Sequence, residues 1–143
     1  MSVEEDIDTS FDDRFYWAKG IEKKLEDENV VDVNGKAVID PTTGKQMIQR
    51  GLKYLWIEQT KSSANGLLTV SDWYVTRKSE TDTAIPSDIS KYRTDIRTAC
   101  KTIEDKINAC SKLSDFIKLF DVPLDKDGNV SGNAPIYDFP NEV

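Results

Sequence analysis

The stretch PSDISKYRTDIRTACKTIEDKI, residues 86–107, decides the fold class of this chain. Its apolar residues recur every three or four positions, which places them on one face of an α-helix. The residues on this face are Ile89, Tyr92, Ile96, Ala99, Ile103 and Ile107. Pro86 and Ser87 form a helix start, and Asp88 lies in the first turn, where the helix dipole favours an anion. The spacing predicts an amphipathic helix of about 24 residues.

Two other segments carry helical patterns on either side of this helix. Residues 45–61 bear a broad apolar stripe, which predicts a second long helix that ends at a breaker over residues 62–66. Apolar residues over 113–120 predict a shorter helix after the long one.

The N-terminal part of the chain also contains a helical pattern. Ser10 followed by Asp13 resembles a capping box, and the apolar residues after it are mostly at helical spacing. This predicts a first helix over residues 11–27.

A β-type pattern follows at residues 30–39. Asn34-Gly35 lies between two β-rich runs and favours a hairpin, because both central residues of a type I′ turn need positive φ. Farther along, residues 73–75 read as a short extended segment and residues 77–83 as a polar loop. The predicted fold is therefore α+β, mainly α, with three to four helices and a small β-hairpin.

Length and charge define the expected domain organisation. The chain has 143 residues, which is enough for one domain with its own core. Six of its 26 acidic residues lie in the first 13 positions, and none of its 19 basic residues does. We expect an acidic leader over residues 1–10, a single helical domain over 11–121 with the hairpin at 30–39, and an extended C-terminal tail over 122–143.

The tail contains apolar side chains that are costly to leave in water, among them Ile136, Tyr137 and Phe139. Two placements stay open from the sequence. The tail docks on a partner or neighbouring subunit, or it folds back over the hairpin or a helix groove of its own chain.

Composition excludes most catalytic and metal-binding classes. The chain has no histidine and two cysteines, so zinc sites and histidine-based nucleophile systems lack their essential parts. Cys100 and Cys110 are ten residues apart in sequence, or about 15 Å along a helix, which is too far for a disulfide. Residues 125–129 resemble a calcium loop only in part, because both end ligands are missing, and they read as a turn. We expect no catalytic residue, no cofactor and no metal, and therefore no enzyme.

Nucleic acid and membrane partners are also disfavoured. Phosphate binding needs clustered Lys and Arg, whereas the body of this chain is nearly neutral. No apolar run approaches the length of a membrane span.

The residues that invite a functional interpretation lie between residues 67 and 97. Arg93 and Arg97 are i,i+4 neighbours and repel each other unless an anion lies beside them, and Asp72 is a candidate for that anion. We expect Trp73 to pack against the face that carries Tyr92 and to stack on a guanidinium. Two interpretations stay open: a structural clasp in which Trp73 is a buried anchor, or a cluster exposed for a partner.

Leu67-Leu68, Asp72-Trp73, Arg77 and Tyr92-Arg93-x-x-Ile96-Arg97 together resemble the pattern of bacteriophage tail assembly chaperone proteins. That signature is a leucine pair, Asp-Trp, and Tyr-Arg-x-x-Leu-Arg on a helix, and here Ile96 stands at the leucine position. The resemblance covers roughly residues 48–97, about a third of the chain. Similar modules occur attached to tail-fibre and other structural proteins of the virion.

The resemblance implies a non-enzymatic protein that binds other phage tail or tail-fibre proteins, as a virion structural component or as an assembly chaperone. It implies a location in the virion tail or in the host cytoplasm during assembly, and a homo-oligomer stays open. The partner-binding residues expected from the motif and the apolar tail are Asp72, Trp73, Arg77, Tyr92, Arg93, Arg97, Tyr137 and Phe139. The alternative is an acidic regulator that binds a host protein through residues 1–13.

Overall fold

A computed structural model describes residues 11–142, so the expected acidic leader lies outside the described residues. The chain divides into two compact units, residues 1–55 and 56–143. This division differs from the expected single domain over residues 11–121 with a separate tail. The four helices and the small antiparallel strand pairs of the described residues confirm the predicted fold class.

The first unit is built from short antiparallel strands. Strand β1 (Tyr16–Ala18) pairs with β2 (Ile21–Glu22), and β3 (Glu28–Asn29) pairs with β4 (Ile48–Gln49). The predicted helix over residues 11–27 is therefore wrong. Gly20 lies between β1 and β2 at a φ of 76°, a left-handed conformation that glycine adopts without strain and that reverses the chain.

The chain also reverses at the predicted hairpin over residues 30–39, where Val31 and Ala37 form an antiparallel bridge. The turn is not type I′, because Gly35 has a positive φ but Asn34 does not. Instead, the Oδ1 atom of Asp32 accepts hydrogen bonds from the amides of Asn34 and Lys36, at 2.8 and 3.0 Å. An Asp side chain that binds nearby amides is a common way to hold such a turn.

Asp125 organises a turn of the same kind in the second unit. Its Oδ1 accepts hydrogen bonds from the amides of Asp127 and Asn129, at 2.9 and 3.0 Å. Gly128 has a φ of 82°. The prediction of a turn over residues 125–129 is confirmed.

Helix α1 (Leu52–Thr69) begins seven residues later than predicted and runs through the expected breaker at 62–66. It begins late because Ile48 and Gln49 belong to β4. It continues because Thr60 and Ala64 are buried, and burial outweighs the weak helix propensity of the serines, asparagine and glycine that follow Lys61.

Helix α2 (Asp72–Thr81) replaces the extended segment and polar loop that were predicted over residues 73–83. Asp72 lies in its first turn, where a carboxylate is favoured by the helix dipole. The helix ends at Asp82, whose φ of 55° is left-handed.

Helix α3 (Ser87–Asn108) confirms the predicted long helix, and the shorter helix α4 (Leu113–Lys118) follows it. Pro86, rather than Ser87, is the residue that precedes the first helical turn. The most deeply buried large side chains of the second unit are Ile96, Ile103, Ile107 and Phe116. Among residues 11–142, no helix has both the length and the apolar character needed to cross a membrane.

The C-terminal segment folds back onto the second unit. A 3-10 helix (Pro135–Tyr137) contacts α3, and Ile136 within it is only 2% exposed. The amide of Ile136 donates to the carbonyl of Leu119 at 3.0 Å. Phe139 packs against a buried cluster of Ala64, Tyr92 and Ile96. The sequence left two placements of the C-terminal segment open, and in the structure the segment folds back onto the helices of its own chain.

Candidate functional site

The second unit carries all eight of the residues predicted from the motif and the tail. Five of them lie where α1 ends, α2 begins and α3 passes, namely Asp72, Trp73, Arg77, Tyr92 and Arg93. Arg97 lines a separate groove between α1 and α3. Tyr137 is half exposed and makes edge contacts with Trp56 and Phe120, with ring centroids 6.4 and 6.0 Å apart. The structure therefore does not bring Arg97 and Tyr137 into the cluster.

Arg93 connects these helices. Its side chain is 9% exposed, and its Nη1 atom lies 3.0 Å from Oδ1 of Asp72. The same nitrogen donates to the carbonyl of Leu68 and to Oγ of Ser71, each at 2.8 Å. Asp72, the candidate anion for Arg93 and Arg97, pairs with Arg93, and Arg97 has no ion pair among residues 11–142.

The contacts of Arg93 satisfy needs of both neighbouring helices. The carbonyl of Leu68 belongs to the last turn of α1, where carbonyls lack intrahelical donors and the dipole favours a cation. Asp72 lies at the start of α2, where the dipole favours an anion. One guanidinium therefore holds the end of α1 against the start of α2.

Trp73 is not a buried anchor, because 53% of the residue is exposed. Its ring stacks on Tyr74 with centroids 3.8 Å apart and planes at 29°. The guanidinium of Arg77 lies 4.9 Å from the Trp73 centroid and 5.4 Å from that of Tyr74. Trp73 does stack on a guanidinium, as expected, but the stack covers only part of the indole and leaves the rest exposed.

Arg77 retains unused hydrogen-bonding capacity. Its Nε atom is buried and has no hydrogen-bond partner within residues 11–142. No ion pair between Arg77 and a carboxylate is present in that part of the chain. Among the described residues, the Arg77 guanidinium is held by the faces of Trp73 and Tyr74.

A cleft of about 200 Å³ lies beside this stack. Its lining is mostly apolar and aromatic, with one carboxylate. The lining residues are Leu67, Val70, Ser71, Trp73, Tyr74, Ile89, Tyr92 and Glu142. Burial, and secondarily the charge of Glu142, raise the pKa of the Tyr92 phenol, so the phenol stays protonated at neutral pH.

Sequence reasoning missed two residues, Ser71 and Glu142, and did not identify Arg77 as the guanidinium on which Trp73 stacks. The i,i+4 spacing of Trp73 and Arg77 would have revealed their stack if residues 72–81 had been read as a helix. Ser71 precedes the Asp-Trp pair, but nothing in its identity indicated a hydrogen bond to Arg93. Glu142 reaches the cleft through the fold-back of the C-terminal segment, which carries no local sequence signal.

Cys100 and Cys110 are both free thiols, the first half-buried and the second buried. Burial, with the neighbouring carboxylate of Glu104, raises the pKa of the Cys100 thiol. The groups gathered around Arg93 and Trp73 offer apolar surface and hydrogen-bond donors and acceptors.

Comparison of the chain with models of protein families, with curated proteins and with solved structures finds no match in any of the three.

Proposed function

We propose that this protein is a non-enzymatic phage tail-associated protein, which binds other tail or tail-fibre proteins as a virion structural component or as an assembly chaperone. The observation that carries the proposal is the exposed stack of Trp73, Tyr74 and Arg77 on a fixed support. The resemblance of the surrounding motif to tail assembly chaperones supplies the class of partner.

The composition of the stack favours an interface. Trp, Tyr and Arg are the residue types enriched among the side chains that contribute most to protein–protein binding. Trp73 presents a large rigid surface, and the guanidinium of Arg77 adds hydrogen-bond donors beside it. These features suit Trp73 as the central anchor of a contact.

The support beneath the stack is pre-organised. Arg93 holds the start of α2 through Asp72, and this is the turn from which Trp73 projects. A fixed anchor loses less conformational entropy on binding than a mobile one, so more of the contact energy appears as affinity.

The neighbouring cleft gives a partner side chain a place to bind. Val70, Leu67 and Ile89 all line the cleft, and Val70 is strongly exposed. We expect an aliphatic or aromatic side chain of the partner in this cleft, with Glu142 and Arg77 as polar contacts at its edge.

The experiment compares two tryptophans that are exposed to a similar extent. Trp73 is 53% exposed and lies beneath Arg77, while Trp17 in the first unit is 58% exposed and lies beneath Lys23. Tagged parent, Trp73→Ala and Trp17→Ala chains are expressed during infection, and the co-purified tail and tail-fibre proteins are identified by mass spectrometry. We expect Trp73→Ala to lose the tail proteins, with affinity reduced about 30-fold, as for an interface anchor worth about 2 kcal/mol, and Trp17→Ala to keep them.

Two outcomes would contradict this proposal. One is equal capture of tail proteins by Trp73→Ala and the parent. The other is capture of a host protein that is lost when the acidic residues of the leader are neutralised, as expected for a regulator. Mass spectrometry of purified particles then separates the two forms of the proposal, because a structural component remains in the virion and a chaperone leaves.

A further inference from the structure

The first unit contains a closed ring of three short segments, residues 28–32, 36–40 and 45–49. One residue of each segment donates its backbone amide to a carbonyl of another segment. The amide of Val30 donates to the carbonyl of Met47, that of Met47 to Val38, and that of Val38 to Val30, at 2.9, 2.8 and 3.0 Å. The third bond returns to the residue from which the first begins, so the three hydrogen bonds form a cycle.

The ring has an approximate internal threefold symmetry. When Val30, Val38 and Met47 are taken as equivalent, the residue after each one pairs with the residue before another. The three antiparallel pairs are Val31 with Ala37, Ile39 with Gln46, and Ile48 with Asn29. Asp32 and Asp40 are also equivalent, and the side chain of each accepts a hydrogen bond from the amide two residues ahead. The three segments therefore occupy equivalent places in one unit.

The side chain of Gln46 joins all three segments through one atom. Its Nε2 lies 2.8 Å from the carbonyl oxygen of Val30, 2.9 Å from that of Met47 and 3.2 Å from that of Val38. These are the same three oxygens that accept the backbone amides of the cycle. A carbonyl oxygen has two lone pairs, so it can accept one backbone amide and also the side-chain amide. The two hydrogens of the Gln46 amide are shared among three oxygens.

We propose that Gln46 closes this ring, and that the three segments associate or separate together according to whether its amide is in place. The turns at Asp32 and Asp40 each connect two neighbouring segments, whereas Gln46 joins all three. The three oxygens carry partial negative charge and surround one point, so they repel one another when no donor lies between them. The inference concerns the first unit and extends beyond the proposed function.

The substitution that tests this proposal is Gln46→Glu, which keeps the length of the side chain but replaces the NH₂ donor with an oxygen. At neutral pH the introduced carboxylate faces three carbonyl oxygens and repels them. Hydrogen exchange of the Val30, Val38 and Met47 amides is followed by NMR in the full chain. We expect all three amides to exchange at least about tenfold faster in the variant than in the parent, because the ring opens more often.

The pH dependence of this effect identifies its cause. The carbonyl oxygens disfavour the charged form, so the pKa of the introduced carboxyl is raised in the folded chain. A raised folded-state pKa gives stability that is fully present below the unfolded-state pKa of about 4.3 and is lost as the pH rises through the folded-state value. At about pH 5 the Gln46→Glu variant should therefore recover most of its protection, because a protonated carboxyl donates an O–H to the ring. Gln46→Met, which has no donor at any pH, should not recover.

Gln49→Glu is the matched control, because it makes the same substitution in the same segment. Gln49 is exposed and lies opposite Glu28, so the new charge meets one carboxylate at the surface and should change exchange less than about threefold. The other charged residues of the ring titrate alike in the parent and in every variant, so each variant is compared with the parent at the same pH. These residues are Glu28, Asp32, Lys36, Asp40 and Lys45.

Equal exchange in the parent and in Gln46→Met would overturn the proposal, and so would equal acceleration in Gln46→Glu and Gln49→Glu. Acceleration of only one of the three amides would also contradict it, because closure joins all three segments. The amides of α3 are the internal reference and should exchange at the rate of the parent. If they accelerate as much as the amides of the ring, the substitution unfolds the whole chain, and Gln46 does not act by closing the ring.

Discussion

Arg93 and Arg97 lie one turn apart on α3 and carry the same charge, but their surroundings differ. Arg93 is buried and meets a carboxylate, a carbonyl and a hydroxyl, whereas Arg97 is exposed in a groove. The sequence predicted that these two arginines need an anion nearby and identified Asp72 as a candidate. It could not reveal the Leu68 carbonyl, because a backbone acceptor at a helix end is fixed by the fold and not by the residue type.

The first prediction is that Arg93→Met lowers the free energy of unfolding by about 2 kcal/mol or more. Methionine fills much of the space but leaves the Leu68 carbonyl and the Ser71 hydroxyl without the guanidinium. Urea titration of the parent and the variant measures the difference.

The matched control for this prediction is Lys91→Met on the same helix. Lys91 is exposed and, among residues 11–142, pairs only with Asp95, so its loss should change the free energy of unfolding by no more than about 0.5 kcal/mol. Equal losses for the two variants would mean that Arg93 does not hold α1 and α2 together.

The helices differ in how far local sequence specifies them. Helix α3 has an uninterrupted apolar face, so periodicity alone predicted it to within a few residues. The start of helix α1 was predicted at the wrong residue because it depends on residues that are far away in sequence. The amides of Leu52 and Lys53 donate to the carbonyls of Lys24 and Leu25, at 2.9 and 3.1 Å. No pattern within residues 45–61 contains that information.

Asp27 also stabilises the start of α1, and it makes the stability of the folded chain depend on pH. Its Oδ1 accepts from the amide of Gly51 at 2.7 Å, and its Oδ2 accepts from Arg50 at 2.9 Å. These hydrogen bonds, the amide first, lower the pKa of the Asp27 carboxyl in the folded chain. A lowered folded-state pKa adds stability that is present above the unfolded-state pKa of about 4 and is lost as pH falls through the folded-state value.

The second prediction follows from that sign. Asp27→Asn should lower the melting temperature at pH 7, and the difference from the parent should shrink as the pH falls from about 4 to 2. Thermal melts across this range measure it, with Glu28→Gln as the control for loss of one carboxylate charge nearby. A difference that stays constant down to pH 2 would show that the charge of Asp27 does not stabilise the start of α1.

At the scale of the whole molecule, the two units depend on different kinds of information. In the second unit the buried residues follow helical periodicity, so most of that core was predicted from residues 86–120. In the first unit the strands are two or three residues long, and backbone hydrogen bonds define them. Such strands leave almost no alternation to detect, which explains why a helix was predicted over residues 11–27.

The C-terminal segment is the part of the second unit for which the sequence left two placements open. Ile136 is 2% exposed, Phe139 packs on the cluster around Ile96, and an amide–carbonyl bond links Ile136 to Leu119. A segment that merely waits for a partner would not bury these side chains in its own unit. The contacts therefore make Ala134, Ile136 and Phe139 part of the packing of the second unit.

The third prediction is that a chain ending at Asn133 melts well below the full chain, because it leaves the surfaces covered by Ile136 and Phe139 open to water. Ile136→Ala alone should lower the free energy of unfolding by about 2–5 kcal/mol, as for other buried aliphatic side chains cut to alanine.

Tyr137→Ala is the adjacent control. Tyr137 is 49% exposed and meets the rings of Trp56 and Phe120 edge to face, so its loss should cost less than that of Ile136. Urea and thermal unfolding of the three variants measure these differences. If the shortened chain melts within a degree or two of the parent while binding of tail proteins is lost, the segment belongs to an interface and its fold-back contributes nothing to the core.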